Sequence, residues 1–366
     1  MRNFGRSMLK VGVTLAAAAT LLVAPATAGA MPQIPGSTTK DGLIWLPIYG
    51  EGSVQAIDPV TRKVVVTIPG VADHPLVVRA TPDGKRLFVN SFGPLVWTMN
   101  VIDVPSRRVI KTVTTAGAPY AVTQMSHDGR YLYMPTQLSL VQVMDTQTLD
   151  IVRTLPVLLP PGAAHMEITN DDQSIIVLAA PGTATQYNAF TGALEKPPIF
   201  LDGFVPGWGE TSMDGNTVYG VNFYSGVTAV NTKGWYVERV IPDGSLAAPI
   251  SATLTPDGKQ MWVCNFGDNS LVILDPHTGQ IIKRIVNPDG TPVYAGFSSD
   301  GKTAYVSNLG GNAAQFPALL HPFKLAYAFF SAPLGVHSTL DFYDTATLTR
   351  TGQLPVGAAP IAGAYP

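Results

Sequence analysis

The sequence predicts an all-β chain built from seven repeats of one four-stranded unit, and three observations carry that prediction. Asp followed by Gly recurs at Asp41, Asp83, Asp128, Asp214, Asp257 and Asp300, with Asp171 and Asp172 filling the one gap, at intervals of 42, 45, 43, 43, 43 and 43 residues. A second marker, an Asp or Asn about 17 residues on, recurs at Asp58, Asp103, Asp145, Asn188, Asn231, Asp275 and Asp344. Composition agrees: 35 Gly and 31 Pro in 366 residues, with only 13% charged, suit tight turns between short strands better than solvated helices.

Each element of the unit follows from these markers. Asp-Gly is a hairpin turn signal between an upstream apolar stretch and a second strand such as Arg86–Asn90, Gln260–Asn265 or Thr303–Asn308. The second marker opens a short Thr- or Gly-containing turn before a β-branched outer strand such as Val64–Ile68, Arg108–Val113 or Ile281–Val286. Four short strands in about 43 residues make one propeller blade, which cannot bury both faces alone and must stack radially on its neighbours. The expectation is a seven-bladed β-propeller over residues 41–366. The C-terminal run Gly357–Pro366 matches the innermost strand of other units, as in Gly117-Ala118-Pro119-Tyr120, and the first unit lacks that strand. Blade one is therefore expected to be closed by both termini, which hides an exposed sheet edge.

The first 30 residues have another chemistry. Arg2, Arg6 and Lys10 precede an apolar run, Val11 to Ala24, and the small residues Ala28, Gly29 and Ala30 follow. This order reads as a Sec signal peptide over 1–30, with 31–40 as a linker and a periplasmic or secreted mature chain. The apolar run falls short of the roughly 20 residues a spanning helix needs, so no transmembrane segment is expected in the mature protein. Removing those three basic residues from 23 leaves 20 against 25 acidic ones, a formal charge of about −5. That charge gives no drive toward nucleic acid. Cys264, the single cysteine, lies in an apolar run and reads as a buried core residue.

The pattern Pro-x7-Asp-Gly-Lys-x4-Val-x-Asn, followed by Ile- or Leu-Asp-x-x-Thr-Gly, resembles the YVTN β-propeller repeat. Pro249 to Gly279 and Pro292 to Asn308 match it best, and the likeness covers roughly residues 41–366. Blade four departs most, with Asp172 for Gly and Leu178-Ala179-Ala180 where Val-x-Asn would stand. The resemblance implies the fold and an extracytoplasmic setting, and it implies no single activity.

Inner strands run toward the Asp-Gly turns, so their starts share one face of the propeller, the top. Counting back four residues from each turn gives Arg79, Gln124, Glu167, Glu210, Thr253, Gly296 and Ala364; counting back six gives Val77, Val122, His165, Trp208, Ser251, Tyr294 and Ala362. Period-two alternation turns both sets toward the axial channel, and the set counted back three, mostly apolar, packs between blades. His165, Glu167, Glu210 and Arg79 are the candidate catalytic residues, with Trp208, Tyr294 and Gln124 as ligand contacts. No cofactor is required by the sequence; a divalent metal, if one binds, would take His165, Glu167 and Glu210. The bland reading of the same set is a wet channel whose polar residues only solvate the bore.

From Asp275 to Asp344 the marker interval is 69 residues, so blade seven carries an apolar insertion over about 309–336, starting on the top face. Its aromatics Phe316, Phe323, Tyr327 and Phe330 are expected to form a lid over the channel mouth; an arm for a protein partner and a membrane-surface patch are the alternatives. His74 at the rim is a secondary ligand contact, and His127 and His277 in polar turns read as solvated. Asn90, Asn222, Asn265 and Asn308 recur with the repeat, which favours structural hydrogen bonding. The sequence holds no Gly-rich phosphate loop, nucleophile elbow, haem-attachment motif or HExxH site. The leading expectation is an exported propeller that binds a small, partly apolar molecule in a lidded top funnel. The alternatives are an enzyme using that funnel, a lyase, cyclase or lactone hydrolase, and a protein-interaction platform.

Overall fold

Each repeat is closed by side chains at its two turns. Two residues before every Asp of the inner turn stands a Ser or Thr, and its hydroxyl donates to Oδ1 of that Asp at 2.5 to 2.7 Å in the pairs Thr81–Asp83, Ser126–Asp128, Thr169–Asp171, Ser212–Asp214, Thr255–Asp257 and Ser298–Asp300. The same oxygen accepts the backbone N–H two residues on, as from Lys85, Arg130 and Lys302. The next residue lies in the left-handed region, between +68° and +72° at Gly84, Gly129, Gly215, Gly258 and Gly301, which explains the glycine. In blade four Asp172 takes that conformation instead, at +56°. Its carboxylate accepts the backbone N–H of His127 at 3.0 Å and sits 2.7 Å from His127 Nδ1. Thus His127 is half-buried against Asp172 rather than solvated, and it ties blade three to blade four.

The outer turn works the same way. Oδ1 of Asp58, Asp145, Asp275 and Asp344 accepts the N–H groups two and three residues on.

The computed structural model of the chain describes residues 34–92, 96–119, 123–157, 163–203, 207–223, 225–242, 247–286, 290–310 and 337–366. Within them 27 strands form seven antiparallel sheets, six of four strands and one of three, in simple up-and-down order. This is the seven-bladed β-propeller. The three-stranded sheet is blade one, Ile44–Ile48, Ser53–Asp58 and Lys63–Ile68. Its fourth strand is the C-terminal run: Trp45 and Ala364 exchange backbone hydrogen bonds at 2.9 and 3.0 Å, and Tyr49 and Gly50 donate to Ala359 and Ala358. No helix among the described residues is long and apolar enough to cross a membrane.

The inner three strands of each blade are buried, whereas outer strands such as Arg108–Thr114 and Ile281–Val286 alternate between exposed and half-buried, as a sheet with one covered face must. Cys264 is buried in the largest apolar cluster, and burial pushes its thiol up to about 12. The recurrent asparagines are buried and bonded within their blades: Asn90 Oδ1 accepts Val77 N–H at 2.8 Å, and Asn265 Nδ2 donates to Ser270 Oγ at 3.1 Å.

Residues 34–40 form part of the propeller. Gly36 O accepts from Ala80 N at 2.7 Å, Ser37 O from Tyr365 N at 2.7 Å, and Tyr365 O from Thr39 N at 2.7 Å. The segment is held between the inner strand of blade two, Pro75–Ala80, and the C-terminal strand of blade one.

Candidate functional site

The inner strands bring the two sets of inward-facing residues together. Val77, Arg79, His165, Trp208, Tyr294 and Ala362, from five different blades, line one cavity of about 10 Å³ with Gly209 and Ile34. Among the described residues this cavity is a space for about one water-sized group. Its walls explain the size: the rings of Trp208 and Tyr294 meet edge to face at 6.0 Å, and the side chain of Ile34 closes another side. Tyr365 backs the wall, stacked on Tyr294 at 6.5 Å and on Tyr305 at 5.4 Å. Residue 296 must be glycine here, because a Cβ would stand 2.0 Å from the Tyr365 ring.

The polar groups are dry rather than solvated. His165, Gln124 and Glu210 are each 1% exposed, Arg79 2% and Glu167 3%. Glu167 is the hub. Gln124 Nε2 donates to its Oε1 at 3.0 Å and Thr211 Oγ1 to its Oε2 at 3.0 Å. His165 Nε2 lies 2.7 Å from Oε1, off the axis a ring N–H would take, and His165 Nδ1 has no hydrogen-bond partner among the described residues. Gln124 Oε1 and Thr123 Oγ1 are buried and without partners there as well. Orphans of this kind are rare in a folded core and need an explanation.

Glu210 Oε2 accepts the N–H of Leu254 at 2.5 Å. Burial first, then the nearby Glu167, raises its pKa well above the ordinary value of 4.5, against the lowering pull of the Leu254 N–H and Arg79. Burial likewise raises Tyr294.

This shift has a sign that can be measured. A carboxyl raised in the fold keeps its proton where the unfolded chain has lost it, so stability falls as pH rises from near 4.5 toward the raised value. Glu210→Gln removes that loss while still offering an oxygen to Leu254. The variant is expected to melt at or above the wild-type temperature at pH 7, with the difference vanishing below about pH 4. A melting curve that is lower at pH 7 and recovers on acidification would be the opposite result.

Not every expected contact reaches the cavity. His74 lies 2.7 Å from Asp73, with its ring 4.7 Å from that of Tyr49, and it is not among the lining residues. Among the described residues no three His, Cys, Asp or Glu converge as metal ligands, so His165, Glu167 and Glu210 do not form a ready metal set. Phe316, Phe323, Tyr327 and Phe330 lie outside the described residues. Two contributors were not foreseen. Ile34 sits in a stretch that reads as a linker, and Tyr365 falls in the set that alternation assigns to blade packing. Nothing in the local sequence marks Ile34; the likeness of the C-terminal run to an inner strand was the signal for Tyr365.

No protein-family model matches the chain, and no curated protein does. Among solved structures it is similar to dihydro-heme d1 dehydrogenase NirN in complex with DHE, at 16% identity and a TM-score of 0.62, over 93% of this chain and 79% of that one. It is also similar to the hydrazine synthase of Kuenenia stuttgartiensis, at 19% identity and a TM-score of 0.63, over 76% of this chain and 94% of that one. At such identities the likeness is one of fold, and it agrees with the seven blades.

Proposed function

We propose that the chain is an exported propeller of the YVTN-repeat kind that binds a small, partly apolar molecule at the top of its axial channel. The observation that carries this reading is a cavity walled by the Trp208 and Tyr294 rings whose lining includes His165, with its Nδ1 buried and without a partner among the described residues. A bound polar atom would satisfy it. The bland alternative, solvation of a wet bore, is weakened because these groups are sealed from bulk water. NirN was solved with DHE bound, which is a property of that protein and supports this reading only by fold analogy.

Tyr294→Phe tests the role. The Tyr294 hydroxyl makes no hydrogen bond among the described residues, so its loss should leave the melting temperature almost unchanged. Binding of hits from a fragment screen by ligand-observed NMR should weaken by about tenfold, the worth of one buried hydrogen bond. Unchanged affinity for every hit would remove the channel from consideration.

One observation favours a catalytic use of the same site. His165 has Glu167 beside Nε2 and an unpartnered Nδ1, the arrangement of an imidazole available for proton transfer, with Arg79 in the same wall to meet a developing anion. This is the lyase, cyclase or lactone hydrolase reading.

Export rests on the N-terminal residues alone. N-terminal sequencing of secreted protein should begin near Met31, and material that still begins at Met1 would contradict the signal peptide.

A further inference from the structure

Of the residues that line the cavity, Ile34 alone lies outside the repeats. It belongs to a strap, residues 34–40, that runs down the channel wall. Thr38 bridges Tyr365 in parallel with the closing strand of blade one. At the lower end the stem of Lys40 packs on the inner turn of blade two, where a Cβ on Gly84 would stand 2.5 Å from Lys40 Cβ. Ile34 is thus the upper end of the strap, and its side chain, 6% exposed, is pressed against the cavity beside Val77 and Arg79.

The strap is held unevenly. From Gly36 downward three short backbone bonds tie it to the propeller: Gly36 O accepts from Ala80 N, Ser37 O accepts from Tyr365 N, and Thr39 N donates to Tyr365 O, each at 2.7 Å. Above Gly36, among the described residues, no backbone group of the strap bonds to the propeller. Ile34 O accepts only from Ser37 N, at 2.9 Å, inside the strap itself. Pro35 and Gly36 are the central pair of that turn, and Gly36 has a φ of +83°, the left-handed value that the third place of a type II turn requires. A Cβ at residue 36 would come within 3.2 Å of Ala80 O and of Arg79 Cδ, so the glycine also lets the strap lie directly on the Arg79 side chain. The lower strap is therefore fixed, a glycine stands at the junction, and the upper end is held by one internal turn and apolar contact. Segments with so few bonds open locally at small cost while the rest of a fold stays closed.

We infer that Ile34 is a hinged plug, which turns at Gly36 to open the way to Arg79 and His165 and which, when seated, blocks that way in cis. The inference rests on the binding role proposed above and supplies what that role needs. With Ile34 seated, a cavity of about 10 Å³ admits nothing larger than one water-sized group. A ligand that reaches His165 and a seated Ile34 therefore exclude each other, and the contact is autoinhibitory.

Two measurements test the plug without any ligand. In the wild-type protein, amide hydrogen exchange followed by NMR should show Ser37 N–H, which closes the turn, exchanging at least about tenfold faster than the N–H groups of Ala80 and Tyr365, which hold the lower strap. Diethyl pyrocarbonate, which acylates accessible imidazoles, should modify His165 at least about tenfold faster in Ile34→Gly than in wild type, as read by peptide mass spectrometry. Cys264, buried in the core, serves as the control: it should stay unreactive to N-ethylmaleimide in both proteins, which shows that the blades have not loosened. Ser37 protected as strongly as Ala80 would overturn the hinge, and equal rates at His165 in a folded variant would overturn the plug. If Ile34→Gly fails to fold or exposes Cys264, the exchange of Ser37 in the wild type decides alone. Tyr294→Phe judges the binding role separately: ligand binding at the channel with a rigid Ser37 turn would sink the plug and leave that role standing, whereas an opening plug with no binding would sink the role.

Discussion

Deleting Gly357–Pro366 is expected to unfold the whole propeller rather than fray one end. The run supplies the inner strand of blade one through its bonds with Trp45, Pro47, Tyr49 and Gly50. On its other side Val78 donates to Ala362 and Ala362 to Leu76, which ties the strand to blade two, and Ser299 N donates to Pro366 O in blade seven. Ile361, Ala364 and Tyr365 are buried, and Tyr365 carries the stack with Tyr294 and Tyr305. Loss of one buried aromatic side chain typically costs about 3–5 kcal/mol, and a whole domain holds only about 5–15 kcal/mol. The truncated chain should show no cooperative melting transition above room temperature. A transition within a few degrees of wild type would mean that the ring closes without this strand.

Glu167→Ala is expected to have the largest effect of any single substitution in the channel. The change removes the acceptor of Gln124 and Thr211 and the carboxylate beside His165, all in a site closed to water. Breaking one member of a buried polar network leaves the others desolvated and unpaired, at about 3–5 kcal/mol. Chemical denaturation should report that loss as a lower midpoint with the same slope. A change below about 0.5 kcal/mol, the level of a surface substitution, would show that the channel is wet and that its carboxylates are screened. Glu210→Gln, on the inner strand of the neighbouring blade, is expected to move in the opposite direction at neutral pH. The pair thus separates a carboxylate that organises its surroundings from one that the fold strains to keep.

Most of the fold was legible because propeller repeats are set locally. The markers at Asp83, Asp128, Asp257 and Asp300 work through hydrogen bonds within five residues, so their spacing survives in the sequence. Counting back from the same markers also found the wall of the cavity: Val77, His165, Trp208, Tyr294 and Ala362 are the residues six before the turn in their blades. What did not follow was the state of that wall. Spacing says which side chains face the axis but not how far the axis is filled. Ile34, Trp208 and Tyr294 together line a small cavity among the described residues, and the aromatic residues expected to form its lid lie outside them. Ile34 reaches it from a stretch without repeat markers, held by backbone bonds to Ala80 and Tyr365 that no local pattern encodes. His127 is a similar case. Its partner, Asp172, is the substitution that breaks the Asp-Gly rule in blade four, and the two are 45 residues apart.

Native mass spectrometry of the protein secreted by its own producing cells, compared with the Tyr294→Phe variant made the same way, tests the binding role most directly. Wild type should carry a noncovalent adduct of one small molecule per chain, and the variant, equally folded, should have lost most of it. A wild-type chain that flies bare under conditions that preserve other protein–ligand complexes, or an adduct retained in full by the variant, would contradict a ligand at the top of the channel.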